Sequence, residues 1–130
     1  MKKEYRIYDP VFEIYLQLFL WYTEKEFCKK IEVDYDWSRD AMYVSINEWC
    51  SNWIWVEDLD NIGVISHEVL HLVFEQARTK GIELCRESEE WFTYIHQYFL
   101  NRVLDRIEKY KKIQYWRNPS RSTRKPMDIL

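Results

Sequence analysis

Apolar and polar positions follow two different rhythms along this chain. Over residues 12–19, Phe12, Ile14, Leu16 and Leu18 alternate with Glu13, Tyr15 and Gln17. That is the period-two pattern of a strand with one covered face. A helix over 11–28 is the rival reading, because the run is long and holds little turn chemistry. Residues 4–8 read as a short strand ended by Asp9 and Pro10. Thr23, with Glu26 three positions later, has the form of a capping box and predicts a short helix over about 24–30. The polar stretch 32–40 reads as a loop. Residues 41–47, with Tyr43, Val44 and Ile46, and residues 53–57, with Trp53 to Glu57, predict two further strands.

From residue 62 the rhythm changes. Ile62, Val64, Ile65, Val69, Leu70, Leu72, Val73, Phe74 and Ala77 are apolar nearly all round, the pattern of a helix buried on several sides. Asp58, Asp60 and Asn61 offer N-caps, and Gly81 offers a C-terminal stop. A second, long helix is predicted from Ser88, as its cap, to about Gln114. Trp91, Phe92, Ile95, Phe99, Val103, Ile107 and Tyr110 keep helical spacing there. Strands first and helices after predict an α+β fold. Its expected form is a small antiparallel sheet packed on the 62–80 helix, followed by the long C-terminal helix. At 130 residues the chain is long enough for one domain, expected over 1–117. Residues 118–130, with Pro119, Pro126 and basic groups, read as a flexible basic tail.

Composition narrows the class. The chain is 47% hydrophobic and 18% aromatic, with only 2 Gly and 3 Pro, which predicts an ordered globular body. Seven Trp and ten Tyr also favour an aromatic surface for a protein partner. Cys28, Cys50 and Cys85 make no zinc-ribbon spacing, and their dispersed, odd number points to a reducing, cytoplasmic setting. No signal-peptide pattern is read. No membrane span is expected, since Glu13 and Gln17 interrupt even Val11–Tyr22. The net charge of −3 divides into a body over 1–101 at −9 and a segment over 102–125 at +7. That basic segment can touch nucleic acid, but no nucleic-acid fold motif accompanies it and the acidic body weighs against a phosphate-binding face.

The candidate chemistry lies at 66–72, Ser-His-Glu-Val-Leu-His-Leu. His67, Glu68 and His71 spell H-E-x-x-H. On a helix, His67 and His71 share one face a turn apart, so both imidazoles can reach one metal ion. Zinc takes His nitrogens readily, and a catalytic zinc keeps three protein ligands and one open position. Glu68, beside the first His, is placed to take a proton from water, the general-base role in this motif. Two His and a Glu in an otherwise apolar helix are costly to bury without partners, which favours a metal. Glu90, with eighteen residues between it and His71, is the candidate third ligand. The segment 81–87 is long enough to bring it back, and Glu87, Glu89 and Cys85 are rivals for the position. His96, six positions after Glu90, reads as an ordinary packed or surface His.

H-E-V-L-H, eighteen residues and a Glu is also the spacing of the gluzincins, the thermolysin-like and aminopeptidase-like zinc metallopeptidases. Residues 90–94, Glu-Trp-Phe-Thr-Tyr, are similar to the pattern around their glutamate ligand. The compact layout further resembles small bacteriophage-encoded proteins, and the match covers about residues 60–98. The resemblance implies a zinc metallopeptidase acting on a protein or peptide. His67, His71 and Glu90 would hold zinc and Glu68 would be the catalytic base. Tyr94 stands where thermolysin-like enzymes carry the Asp that orients a ligand His, and so joins the expected catalytic group. By the same resemblance an edge strand, 53–57 or 41–47, would pair with the substrate backbone, the alternative being that both strands simply serve the core. A second function stays open: a zinc-stabilised, non-catalytic protein-interaction protein. It too could be phage-encoded and so act in a host cytoplasm, its metal closed off by Cys85 or Glu87.

Overall fold

The computed structural model describes residues 2–33, 40–46 and 51–117. Most of the expected 32–40 loop and all of the expected 118–130 tail lie outside the described residues. The fold is α+β. Four strands, β1 (Lys3–Asp9), β2 (Ile14–Leu20), β3 (Ala41–Ile46) and β4 (Ser51–Val56), form one sheet. Three helices accompany it: α1 (Glu24–Ile31), α2 (Ile62–Lys80) and α3 (Glu89–Arg117).

The segment expected as strand or helix is a strand over Ile14–Leu20, with Phe12 and Glu13 in the turn before it. Asp9, fully buried, accepts the N–H groups of Val11 and Phe12 at 3.2 Å each and so closes the turn after β1. Ile14, Leu16, Leu18 and Leu20 of β2 then all point into the core. β1 and β2 pair antiparallel, as do β3 and β4. The central pair, β2 with β4, is parallel, with Leu18 opposite Ile54, so the sheet is mixed where a purely antiparallel one was expected. A parallel pair requires a crossover between its strands. Here α1 and β3 supply it: the chain leaves β2, forms α1, runs along the far edge as β3 and returns as β4 in the middle.

Burial explains the crossover. α1 has its own apolar stripe, Phe27, Cys28 and Ile31, and packs it with Phe19, Met42 and Trp55 of the sheet. The helix can cover those residues only by crossing the sheet. On the opposite face β2, β4 and Ala41 meet α2 and α3 through Ile65, Val69, Leu72, Val73, Phe92, Ile95, Phe99, Val103 and Ile107. The result is three layers, with α1 on one side of the sheet and α2 with α3 on the other.

α2 starts at Asn61, whose side chain accepts the Val64 N–H, and stops at Gly81, which adopts φ 70° and sends its N–H to Ala77 and Arg78. α3 begins at Glu89, directly after Ser88, as expected. Ser88 ends a short 3-10 turn, Arg86–Ser88, and its hydroxyl donates back to the Glu83 and Cys85 carbonyls. Among the described residues no helix is long and apolar enough to cross a membrane. The feature that matters for the site is the sheet order: β3 is an edge strand and runs beside α2.

Candidate metal centre

The H-E-x-x-H residues lie on α2, as expected, but the helix is buried on one side only. Ile65, Val69, Leu72, Val73, Gln76 and Ala77 face the core, while His67, Leu70, His71 and Phe74 are exposed. The two imidazoles therefore stand at the surface, and the cost of burying them does not arise. The cost applies to Glu68, whose side chain is only 11% exposed.

His67 Nε2 and His71 Nε2 are 3.1 Å apart, with ring centroids separated by 4.7 Å. Two nitrogens each ~2.0–2.1 Å from one tetrahedral zinc lie ~3.3 Å apart, so the pair is already spaced to share an ion. The ligating atoms of His67, Glu68 and His71 all lie within 4.8 Å of one another, and no other such group occurs among the described residues. Glu68 Oε2 is 4.0 Å from His67 Nε2, longer than a shared tetrahedral edge and suited to a water between them.

Glu68 is fixed by the edge strand. Its Oε1 accepts the backbone N–H of Tyr43 at 2.8 Å. That leaves Oε2 as the oxygen facing the His pair. Tyr43 makes two further contacts. Its ring lies parallel to His71, 6.5 Å between centroids and 6° between planes. Its hydroxyl donates to Asn52 Oδ1 at 2.5 Å, and the same oxygen accepts Gln76 Nε2 at 3.2 Å. Asn52 Nδ2 donates in turn to the Tyr15 carbonyl at 2.9 Å. Burial pushes the Tyr43 hydroxyl well above the usual phenol range, so it stays a donor. Sequence reasoning passed over Tyr43, Asn52 and Gln76. The available signal was that Asn52 is in phase with the apolar Ile54 and Val56, and Gln76 with Leu72 and Val73. A polar residue on a core phase needs buried partners.

Beyond His71 a groove of about 460 Å³ opens between β3 and α2, lined by Tyr43, Ser45, His71, Phe74, Glu75 and Arg78. Arg78 donates from Nε and Nη2 to the two Glu75 carboxylate oxygens, at 3.2 and 2.5 Å. These bonds raise the Arg78 pKa further above its ordinary value. Tyr43 N–H points away from β4 toward Glu68, so by the two-residue period of a strand the backbone groups of Ser45 also face this open edge. Of the two strands named for substrate pairing, only β3 has a free edge; β4 lies between β2 and β3.

The structure does not bring Glu90 into the group. Glu90 is exposed in the first turn of α3. Helix phase is the reason. Phe92 is buried and faces α2, its ring 6.0 Å from that of Phe74. Glu90 is two positions earlier, about 200° round the helix, and so turns away from α2. Tyr94, two positions after Phe92, is turned off the same face. Its hydroxyl meets Asp9 at 3.4 Å and its ring meets Phe12, so its partners are at the β1–β2 turn rather than a ligand His. Among the rivals, Cys85, Glu87 and Glu89 are exposed and also stand outside the group. His96 is half-buried, its Nε2 3.1 Å from Ser66 Oγ across the α2–α3 contact, in line with the packed role expected of it.

No family model, no curated protein and no solved structure matches this chain. The likeness to gluzincins therefore rests on the motif residues alone.

Proposed function

We propose that this protein is a metal-dependent hydrolase of peptide bonds, with zinc as the ion that suits it. The observation that carries this reading is the 3.1 Å spacing of the two Nε2 atoms with the Glu68 carboxylate held beside them. His67 and His71 would supply two of the three protein ligands that a catalytic zinc keeps. Bound there, it would supply Lewis acidity to a carbonyl and lower the pKa of water. Glu68 would use Oε2 to take the proton of the attacking water and return it to the leaving amine. Oε1 would stay on the Tyr43 N–H, so the carboxylate would not have to reorganise. Tyr43 would limit the swing of the His71 ring. An extended peptide would lie along the outer edge of β3, where the backbone groups of Ser45 would supply strand pairing.

The test is elemental analysis after exhaustive dialysis, followed by a peptide-library cleavage assay. The expected result is about one zinc per chain in the wild type and in Glu68→Gln, and none in His71→Ala, in keeping with a His-ligated site. Cleavage should fall by at least ~10²-fold in Glu68→Gln, the usual scale of a lost general base. Absence of any zinc uptake on titration would remove the reading. Exposed aromatics favour the second function, a zinc-stabilised interaction protein. Trp21 is 60% exposed and Trp116 72%. Zinc retained without cleavage would support it.

A further inference from the structure

We infer that Arg78 anchors a carboxylate of an extended peptide lying along β3, so that the site prefers acidic or C-terminal stretches of its substrate. This rests on the proposed reading of α2 and β3 as a peptide cleft. Four observations carry it. Arg78 lines the groove that continues from His71, so it shares one channel with the candidate chemistry. Its side chain is 69% exposed, so its outer N–H groups are reachable. Glu75, only 18% exposed, holds the guanidinium from one side through Nε and Nη2. A guanidinium has five N–H groups in a flat fork, so this leaves the edge formed by both Nη1 protons and the second Nη2 proton for another carboxylate. Finally, the Tyr43 N–H on the β3 edge is held by Glu68, and the backbone groups of Ser45, two positions on, face the same open edge and can hold the rest of a peptide.

The spacing sets where the carboxylate falls. Arg78 is seven positions after His71, a rise of about 10 Å on the helix. An extended peptide advances about 3.3 Å per residue. Both side chains lean toward the helix N-terminus, and the longer Arg78 reaches further back than His71, which shortens the span. The carboxylate therefore falls two or three residues from the bond held at the His pair. Phe74, 46% exposed on the same wall, leaves the intervening residue an apolar contact. Glu75 acts as a positioning residue: it aims Arg78, whose own charge disfavours a basic side chain at that place.

The test measures binding of fluorescein-labelled, six-residue Thr/Val peptides by anisotropy, with zinc added. One pair carries Glu or Gln at the third position from either end; the other ends in a free acid or an amide. The wild type should bind the Glu peptide, the free-acid peptide or both about tenfold more tightly than the neutral counterpart, the scale of one charge-assisted contact. Which pair responds distinguishes a side-chain from a C-terminal carboxylate. Arg78→Gln should abolish the preference. Equal binding within both pairs, a preference that survives Arg78→Gln, or no binding of any peptide would overturn the inference. A carboxylate preference that depends on Arg78, found without zinc uptake or cleavage, would sink the hydrolase and leave the anchor standing.

Discussion

Asn52 joins three secondary-structure elements under the candidate site. Its side-chain oxygen takes the Tyr43 hydroxyl and the Gln76 amide, and its nitrogen serves the Tyr15 carbonyl, so one small side chain links β2, β3 and α2 from its place on β4. Asn52 is 2% exposed and Gln76 5%, so water cannot easily replace these bonds. Asn52→Ala leaves several buried groups without partners, and each costs about 1–3 kcal/mol. Tyr43→Phe removes one hydroxyl, yet keeps the ring beside His71 and the N–H on Glu68. We expect urea unfolding to show a loss of at least about 2 kcal/mol for Asn52→Ala and about 1 kcal/mol for Tyr43→Phe. Zinc uptake should survive in Tyr43→Phe. A Tyr43→Phe protein of wild-type stability would show that the hydroxyl contributes nothing.

At the scale of elements, α1 shows a local motif acting as written. Thr23 accepts the Glu26 N–H at 3.1 Å and Glu26 accepts the Thr23 N–H at 3.0 Å, the reciprocal cap expected from the sequence. Lys2 pairs with the same carboxylate, and together these contacts hold Glu26 at about 2, below its ordinary 4.5. A lowered folded-state pKa stabilises the fold above the unfolded value and loses that effect as the carboxylate protonates. Glu26→Gln keeps an acceptor but removes the charge. Its melting temperature should lie below the wild type's near neutral pH, and the gap should close as pH falls from about 4.5 toward 2. A gap unchanged down to that pH would mean the charge is irrelevant. α3 shows the opposite case. The apolar row containing Phe92, Ile95 and Phe99 was readable, and it fixes the helix phase. Followed through, that phase already turns Glu90 away from α2. Spacing along the chain showed that Glu90 could reach the pair, but not which way its side chain would face.

For the whole molecule, the decisive feature is that one sheet serves two cores. β2 sends Leu18 to the α2–α3 side and Phe19 to the α1 side. Loss of packing on either face must therefore disturb the same strands. Phe27→Ala, in the smaller core, and Phe99→Ala, in the larger, should each cost about 3–5 kcal/mol. Each variant should still show one transition, with Trp fluorescence and far-ultraviolet circular dichroism coinciding. A separate early transition in Phe27→Ala would show that α1 melts on its own. The same sheet order decides the site: with β4 central and β3 outermost, the open edge falls beside α2, where Tyr43 can hold Glu68.

Strand period, the Thr23–Glu26 cap, the Asn61 and Gly81 boundaries of α2 and the His67–His71 pairing were all legible in the sequence. Each depends on residues a few positions apart, whose relation is set by local backbone geometry. Only the tertiary structure decided that β2 and β4 run parallel, that β3 rather than β4 is the edge, that Tyr94 meets Asp9 and Phe12, and that Tyr43 joins the His pair. Those outcomes depend on which apolar faces meet across the chain. Burial is non-directional, and several strand orders can satisfy the same alternating pattern until α1, α2 and α3 compete for the two faces of the sheet.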